Sequence, residues 1–162
     1  MHKQPKYKII EAGAFADFEF EAYGDSLEEL FAVCGIASFE AMTDTAKVEP
    51  KETVEFAVDA ETVEDLLFAF LAELIYIKDV EKIFFKQFDI EISGNSDSGC
   101  RPLEASFHPE ACGNYKLKCK ATGEYIDIKK HDLRTDVKAV TYHKLSVRKT
   151  NSGYSGHVIL DL

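Results

Sequence analysis

No apolar run in the sequence reaches the roughly 18–20 residues that a bilayer-spanning helix requires. The longest, Leu66 to Ile77, is interrupted by Glu73. The first residues, Met1 to Ile10, carry lysines but neither an apolar segment nor a small-residue cleavage site, so no secretory leader is expected. Both absences point to a cytoplasmic protein with no membrane partner. The four cysteines, Cys34, Cys100, Cys112 and Cys119, form no C-x-x-C pair, and without an export signal they read as reduced thiols. A zinc site from Cys100, His108, Cys112 and Cys119 is an alternative, although its spacing matches no standard zinc pattern. Most catalytic signatures are missing as well. The chain has no phosphate-cradling G-x-x-x-x-G-K-S/T, no G-x-G-x-x-G, no H-E-x-x-H and no G-x-S-x-G. It contains no internal repeat and no low-complexity tract.

What is present suits one soluble domain spanning residues 1–162. Of the 162 residues, 46% are apolar and twelve are Phe, enough for a hydrophobic core at this length. The formal charge is −10, unevenly spread: residues 1–92 hold 21 Asp and Glu against 8 Lys, and residues 93–162 hold 11 Lys and Arg against 8 acids. Phosphate neutralisation supplies most non-specific affinity for nucleic acid, so binding through an overall positive field is not expected. A basic patch from the second half could still meet RNA or an acidic partner. The acidic first half suits cations or a basic protein, although most of these charges read as solvated surface.

The pattern of apolar residues predicts two helices among many strands. Tyr7 to Ala12 reads as a short strand. Asp17 to Tyr23 alternates strictly, with Phe18, Phe20 and Ala22 on one face and Asp17, Glu19, Glu21 and Tyr23 on the other. After a turn at Gly24-Asp25, the capping box Ser26-Leu27-Glu28-Glu29 opens a helix expected to reach about Met42. Thr53 to Asp59 alternates again. Thr62-Val63-Glu64-Asp65 starts a second helix expected to reach about Ile77, and its content of Leu and Phe predicts the more buried of the two. Strands are expected at Lys82–Ser93, Leu103–Phe107, Tyr115–Ala121, Val137–Val147 and His157–Asp161, with turns at 94–99, Gly113-Asn114 and 151–153. Such a pattern predicts an α+β fold with a largely antiparallel sheet.

Carboxylates are the remaining chemistry. Asp17, Glu19 and Glu21 share one strand face, and the last residues are Asp161 and Leu162. Pairing of the terminal strand near the start of the Asp17 strand would bring oxygen groups together, the ligand type that hard divalent cations take. Acidic strand faces are usually only solvent-facing, so spacing alone leaves both readings open. Cys34 and His143 could be imagined as nucleophile and base, but Cys34 lies on the apolar face of a predicted helix, the position of a buried structural cysteine.

The segment Val137-Lys138-Ala139-Val140-Thr141-Tyr142-His143, followed about fifteen residues later by Val158-Ile159-Leu160-Asp161-Leu162, closely resembles the archease family. Ala16-Asp17 leading into Gly24-Asp25-Ser26-Leu27-Glu28-Glu29-Leu30-Phe31 resembles the family's N-terminal block. Glu64-Asp65-Leu66-Leu67 through Leu74-Ile75-Tyr76 resembles its second helix, and Gly123-Glu124, Asp127 and His131 fit the segment before the last motif. The resemblance covers nearly the whole chain. It implies a non-enzymatic partner of an RtcB-type RNA ligase that promotes guanylylation and multiple turnover in tRNA splicing, touching tRNA only through the ligase. It also implies a divalent metal, Ca²⁺ in vitro with Mg²⁺ or Mn²⁺ as candidates, held by Asp17, Asp161 and a main-chain oxygen of Leu162. Glu19, Lys138 and His143 are implied contacts of the acidic tip or the partner. The chain departs from the family pattern at Ala14 and Phe15, where a His-Thr pair is usual, at Phe70 and Ala72 in the second helix, and in a probable insertion at 94–114. Two rival readings remain. One is a metal-dependent hydrolase with Asp17 and Asp161 on the ion and His143 as general base; the other is a general chaperone-like binder using apolar helix faces.

Overall fold

The computed structural model describes residues 6–10, 17–94 and 115–162. Among them, two antiparallel sheets and two helices form the fold, in agreement with the α+β expectation. Strands β1 (Tyr7–Ile10), β2 (Asp17–Gly24), β8 (Tyr154–Asp161) and β6 (Ala139–Val140) lie side by side in that order, and β7 (Ser146–Lys149) also pairs with β8. Strands β3 (Glu52–Ala60), β5 (Tyr115–Tyr125) and β4 (Ile83–Ser93) make the second sheet, with β5 in the middle. Helices α1 (Leu27–Glu40) and α2 (Val63–Glu81) each contact strands of both sheets. The predicted strand at Leu103–Phe107, the turn at Gly113-Asn114, most of the 94–114 insertion, and Ala14 and Phe15 lie outside the described residues.

Alternation dictates the sheet faces. In β2, Phe20 and Ala22 are fully buried and Phe18 packs against the core, while Asp17 and Tyr23 are exposed. The same inward rule in β8 buries Val158 and Leu160. Ser26 caps α1 as the sequence indicates: its hydroxyl accepts from the Glu29 N–H at 3.1 Å, and the Glu29 carboxylate accepts from the Asp25 N–H at 2.9 Å. Thr62 caps α2 in the same way, accepting from the Asp65 N–H at 3.0 Å.

Four expectations change. The more buried helix is α1, not α2. No residue of α1 is exposed, whereas Tyr76, Asp79, Val80 and Glu81 of α2 are. Small residues account for this: the ring of Phe88 on β4 lies where a Cβ on Gly35 would meet it at 2.9 Å, so α1 settles close to the sheet. Helix α2 runs four residues beyond Ile77. Lys78, polar in sequence, is 3% exposed, its ammonium paired with Asp79 at 2.7 Å and Asp136 at 2.6 Å and donating to the Val137 carbonyl at 3.3 Å. The helix stops where Lys82 turns left-handed, at φ 58°. Strand β5 continues past Ala121 to Tyr125. Gly123 permits this, because a Cβ there would stand 1.9 Å from the Phe84 carbonyl oxygen, next to a bulge between Phe85 and Gln87.

The expected single strand from Val137 to Val147 is two short strands, β6 and β7, separated by a turn. Lys144 adopts φ 55°, the Leu145 N–H donates to the Tyr142 carbonyl at 3.1 Å, and the chain re-enters the sheet at Ser146. Tyr142 leaves the strand line to stack on Phe68 of α2, with ring centroids 3.9 Å apart and planes 7° from parallel.

Candidate metal and partner site at the end of the first sheet

Strands β2 and β8 run antiparallel in a register that places Phe18 opposite Leu160, Phe20 opposite Val158 and Asp17 opposite Asp161. The buried face fixes that register, because a slip of one residue would carry every apolar side chain to the solvent side. Residues directly opposite in such a pair share a face, with Cβ atoms about 5 Å apart. Asp17, at the start of β2, and Asp161, at the end of β8, are therefore neighbours, and both are exposed. Strand β6 closes the other flank: Ala139 faces Asp161, and the Lys138 N–H donates to the Asp161 carbonyl at 2.9 Å. The Leu162 side chain packs against the core, which holds its main chain beside the two aspartates.

The other two acids on the β2 face are already engaged. The Glu19 carboxylate meets His157 Nε2 at 2.7 Å, and the other ring nitrogen of His157 lies 2.9 Å from the Lys144 carbonyl. Both ring nitrogens of His157 are thus engaged within the chain. The Glu21 carboxylate accepts from the Tyr23 hydroxyl at 2.8 Å. Among the described residues, neither Asp17 nor Asp161 has an ion-pair or side-chain hydrogen-bond partner. Like charges directly opposite repel, and a cation between them removes the repulsion.

The donor set is one that hard cations take: two carboxylates and nearby main-chain oxygen. No group of three or more His, Cys, Asp or Glu side chains able to hold an ion occurs among the described residues. The side chains supply two ligands here, and the remaining positions would fall to main-chain oxygen and water. Lys138 is exposed and makes no ion pair within the described residues. His143 is exposed in the turn after β6, and no hydrogen bond joins it to either aspartate. Tyr142, between them, has its hydroxyl pKa raised by burial first and then by the Asp65 carboxylate.

The two described cysteines are core residues. Cys34 is fully buried and its thiol is pushed far up by burial, which removes it as a nucleophile. Cys119 faces inward, and burial, followed by the charge of Asp89, pushes it up to about 12. The other three members of the alternative zinc set, Cys100, His108 and Cys112, lie outside the described residues.

A second polar centre was not visible as such in the sequence. Glu124 near the end of β5 is 7% exposed and His131 is 4% exposed. Glu124 Oε1 contacts His131 Nε2 at 2.8 Å, and Lys130 and Lys51 approach the other oxygen at 2.8 and 3.2 Å. The Asp127 N–H donates to His131 Nδ1 at 2.9 Å, so the ring proton sits on Nε2 and points at the carboxylate. The Lys130 hydrogen bond above all, against the opposing effect of burial, holds the Glu124 carboxyl well below the usual range. Every strong donor here is used within the chain, which marks a structural clamp on the segment between β5 and β6. His157 also escaped sequence reading. Its signal, a polar residue one position off a buried valine, has meaning only once the pairing register is known.

Comparison with known proteins identifies the fold and the motifs together. The family model described as the archease protein family (MTH1598/TM1083) matches residues 7–162. The protein archease of Pyrococcus abyssi is 39% identical over 138 residues, covering 85% of this chain and 86% of that one. That of Methanosarcina acetivorans is 32% identical over 157 residues, covering 97% and 96%. The solution structure of Methanobacterium thermoautotrophicum protein 1598 superposes with a TM-score of 0.78 at 33% identity, covering 98% of this chain and 100% of that one. A Thermotoga maritima crystal structure described as an archease, possible chaperone, shares the fold at a TM-score of 0.53 and 18% identity, covering 100% of this chain and 99% of that one. The chain belongs to the archease family.

Proposed function

We propose that this protein is a non-enzymatic accessory factor that activates an RtcB-type RNA ligase in tRNA splicing, working in the cytoplasm and meeting tRNA only through the ligase. The observation that carries the reading is the face-to-face pair Asp17 and Asp161, the two β2–β8 acids without a side-chain partner among the described residues, in a chain of the archease family. Asp17, Asp161 and a main-chain oxygen of Leu162 would hold a divalent cation, with Ca²⁺, Mg²⁺ and Mn²⁺ as candidates. When bound, the cation supplies concentrated positive charge at an exposed edge.

The chain's own residues do the rest. Leu162 anchors the strand end through its core contact, and the inward Phe and Leu residues of β2 and β8 keep the two carboxylates in register. Lys138 stands exposed beside Asp161 as a contact for the partner. An accessory protein raises the activity of its partner only by binding the active arrangement more tightly than the inactive one. Presented to the ligase, the cation-loaded sheet end favours the arrangement competent for nucleotidylation.

The test is guanylylation of the ligase from the same source, with catalytic amounts of this protein in wild-type, Asp17→Ala and Asp161→Ala forms. Stimulation by the wild type, lost in both variants, supports the proposal. Equal stimulation by all three removes the acidic pair from the mechanism.

A further inference from the structure

The outer face of the first sheet changes character along the strands. One end is the Asp17–Asp161 row. Six residues on, about 20 Å at the strand rise of ~3.4 Å per residue, the row is Tyr23, Ser155 and Arg148, one from each of β2, β8 and β7. The row before it is Glu21, His157 and Ser146. These two rows and the Lys144 turn bound an open recess of about 600 Å³.

Its charge runs against that of the rest of the protein. Among the described residues several exposed lysines, Lys138 included, make no ion pair, but here an arginine and a lysine line the same recess, whereas Arg134 pairs with Glu40 and Asp132. The side chains of Arg148 and Lys144 have no ion pair or hydrogen bond among the described residues, although Glu21 borders the same recess. Glu21 is occupied by the Tyr23 hydroxyl and Glu19 by the His157 ring. Two cations without an ion pair among the described residues and two serines therefore line one recess, beside His157.

We infer that this recess is a binding site for a single phosphate group, carried by a nucleotide or by the end of an RNA. Arg148 supplies a planar fork that matches phosphate oxygens, Lys144 a mobile ammonium, and Ser146 and Ser155 short hydroxyl donors at the floor. His157 supplies no donor to the recess, because both ring nitrogens are engaged by Glu19 and the Lys144 carbonyl. A single group fits better than a phosphodiester chain: a backbone continuing along the strands would meet Glu21, Glu19 and then Asp17 and Asp161. The site is separate from the acidic end, so its failure would leave ligase activation unaffected.

The test is a nuclear magnetic resonance titration of the ¹⁵N-labelled full chain with inorganic phosphate, AMP, and a short RNA with and without a 3′-phosphate. Chloride and glutamate at matched ionic strength are the controls. The expected result is saturable shifts at Lys144, Ser146, Arg148 and Ser155 with phosphate. Affinity should fall about tenfold or more in Arg148→Gln and in Lys144→Gln, as for loss of one charge-assisted hydrogen bond, and hold in Asp161→Ala. Tighter binding of AMP or of the phosphorylated RNA identifies the carrier. Shifts that chloride or glutamate reproduce, or phosphate affinity unchanged in both variants, would overturn the inference; preserved spectra outside the recess show that the variants are folded.

Discussion

Glu124 and Asp161 both stand at or near the end of a strand, yet they keep opposite electrostatic company. Glu124 is nearly buried and surrounded by donors: His131, Lys130, Lys51 and the Glu49 N–H. Asp161 is exposed and faces a second carboxylate, Asp17, with no cation of the described chain against it. The buried site meets the cost of desolvation with hydrogen bonds and holds the fold. The exposed site retains a repulsion that a single inserted cation would relieve, and is left free for an outside partner. Charge satisfied within the chain marks the structural centre, and charge left open marks the site proposed for function.

The largest effect is expected at the buried carboxylate. Glu124→Gln leaves His131, Lys130 and Lys51 around a neutral amide and should destabilise the fold by about 3 kcal/mol, the scale for breaking a buried ionic partnership, read by urea unfolding. The wild type carries a linked pH dependence. Glu124 has a depressed pKa in the folded state, so its contribution is fully present above the unfolded value of about 4.3 and is lost as pH falls below it. Melting temperature should therefore drop on acidification below about pH 4, and drop less in Glu124→Gln. A variant with the same acid profile as the wild type would remove Glu124 from the account.

The functional side gives the next effect. A divalent cation that binds only the folded chain stabilises it by about 2.7 kcal/mol at 100 times its dissociation constant. Calorimetric melting with and without Ca²⁺ or Mn²⁺ should show that gain in the wild type and none in Asp17→Ala. The smallest effect completes the contrast. Asp17→Asn without metal should be neutral or stabilise by up to about 0.5 kcal/mol, because it removes a like-charge pair from directly opposite strand positions. A loss of more than about 1 kcal/mol would show that Asp17 serves the fold after all.

Much of the fold could be read from local pattern. The alternation at Asp17–Tyr23 and the Ser26 and Thr62 caps are local signals, and the structure keeps all three. What could not be read depends on tertiary partners. Lys78 extends α2 because Asp136, 58 residues away in sequence, takes its ammonium. The Val137–Val147 strand breaks because Tyr142 finds Phe68, and the strand-forming residues Val140-Thr141-Tyr142 give no warning of that stacking. The Glu124–His131 clamp joins a strand to a turn, so its seven-residue spacing reflects no single helix or strand face. For the candidate site, the residue types were legible, and their convergence followed from the resemblance or from a conditional pairing but not from local pattern. The pairing of Asp17 with Asp161 is a matter of register across 144 positions, and the sequence motifs at each end carry no information on which rows meet.

The most direct measurement is isothermal titration of Ca²⁺ and Mn²⁺ into the wild-type protein and into Asp161→Ala. The account predicts a single saturable site in the wild type that disappears in the variant while its unfolding free energy stays within about 1 kcal/mol of the wild type. Equal binding by both proteins, or no binding by either, would contradict it.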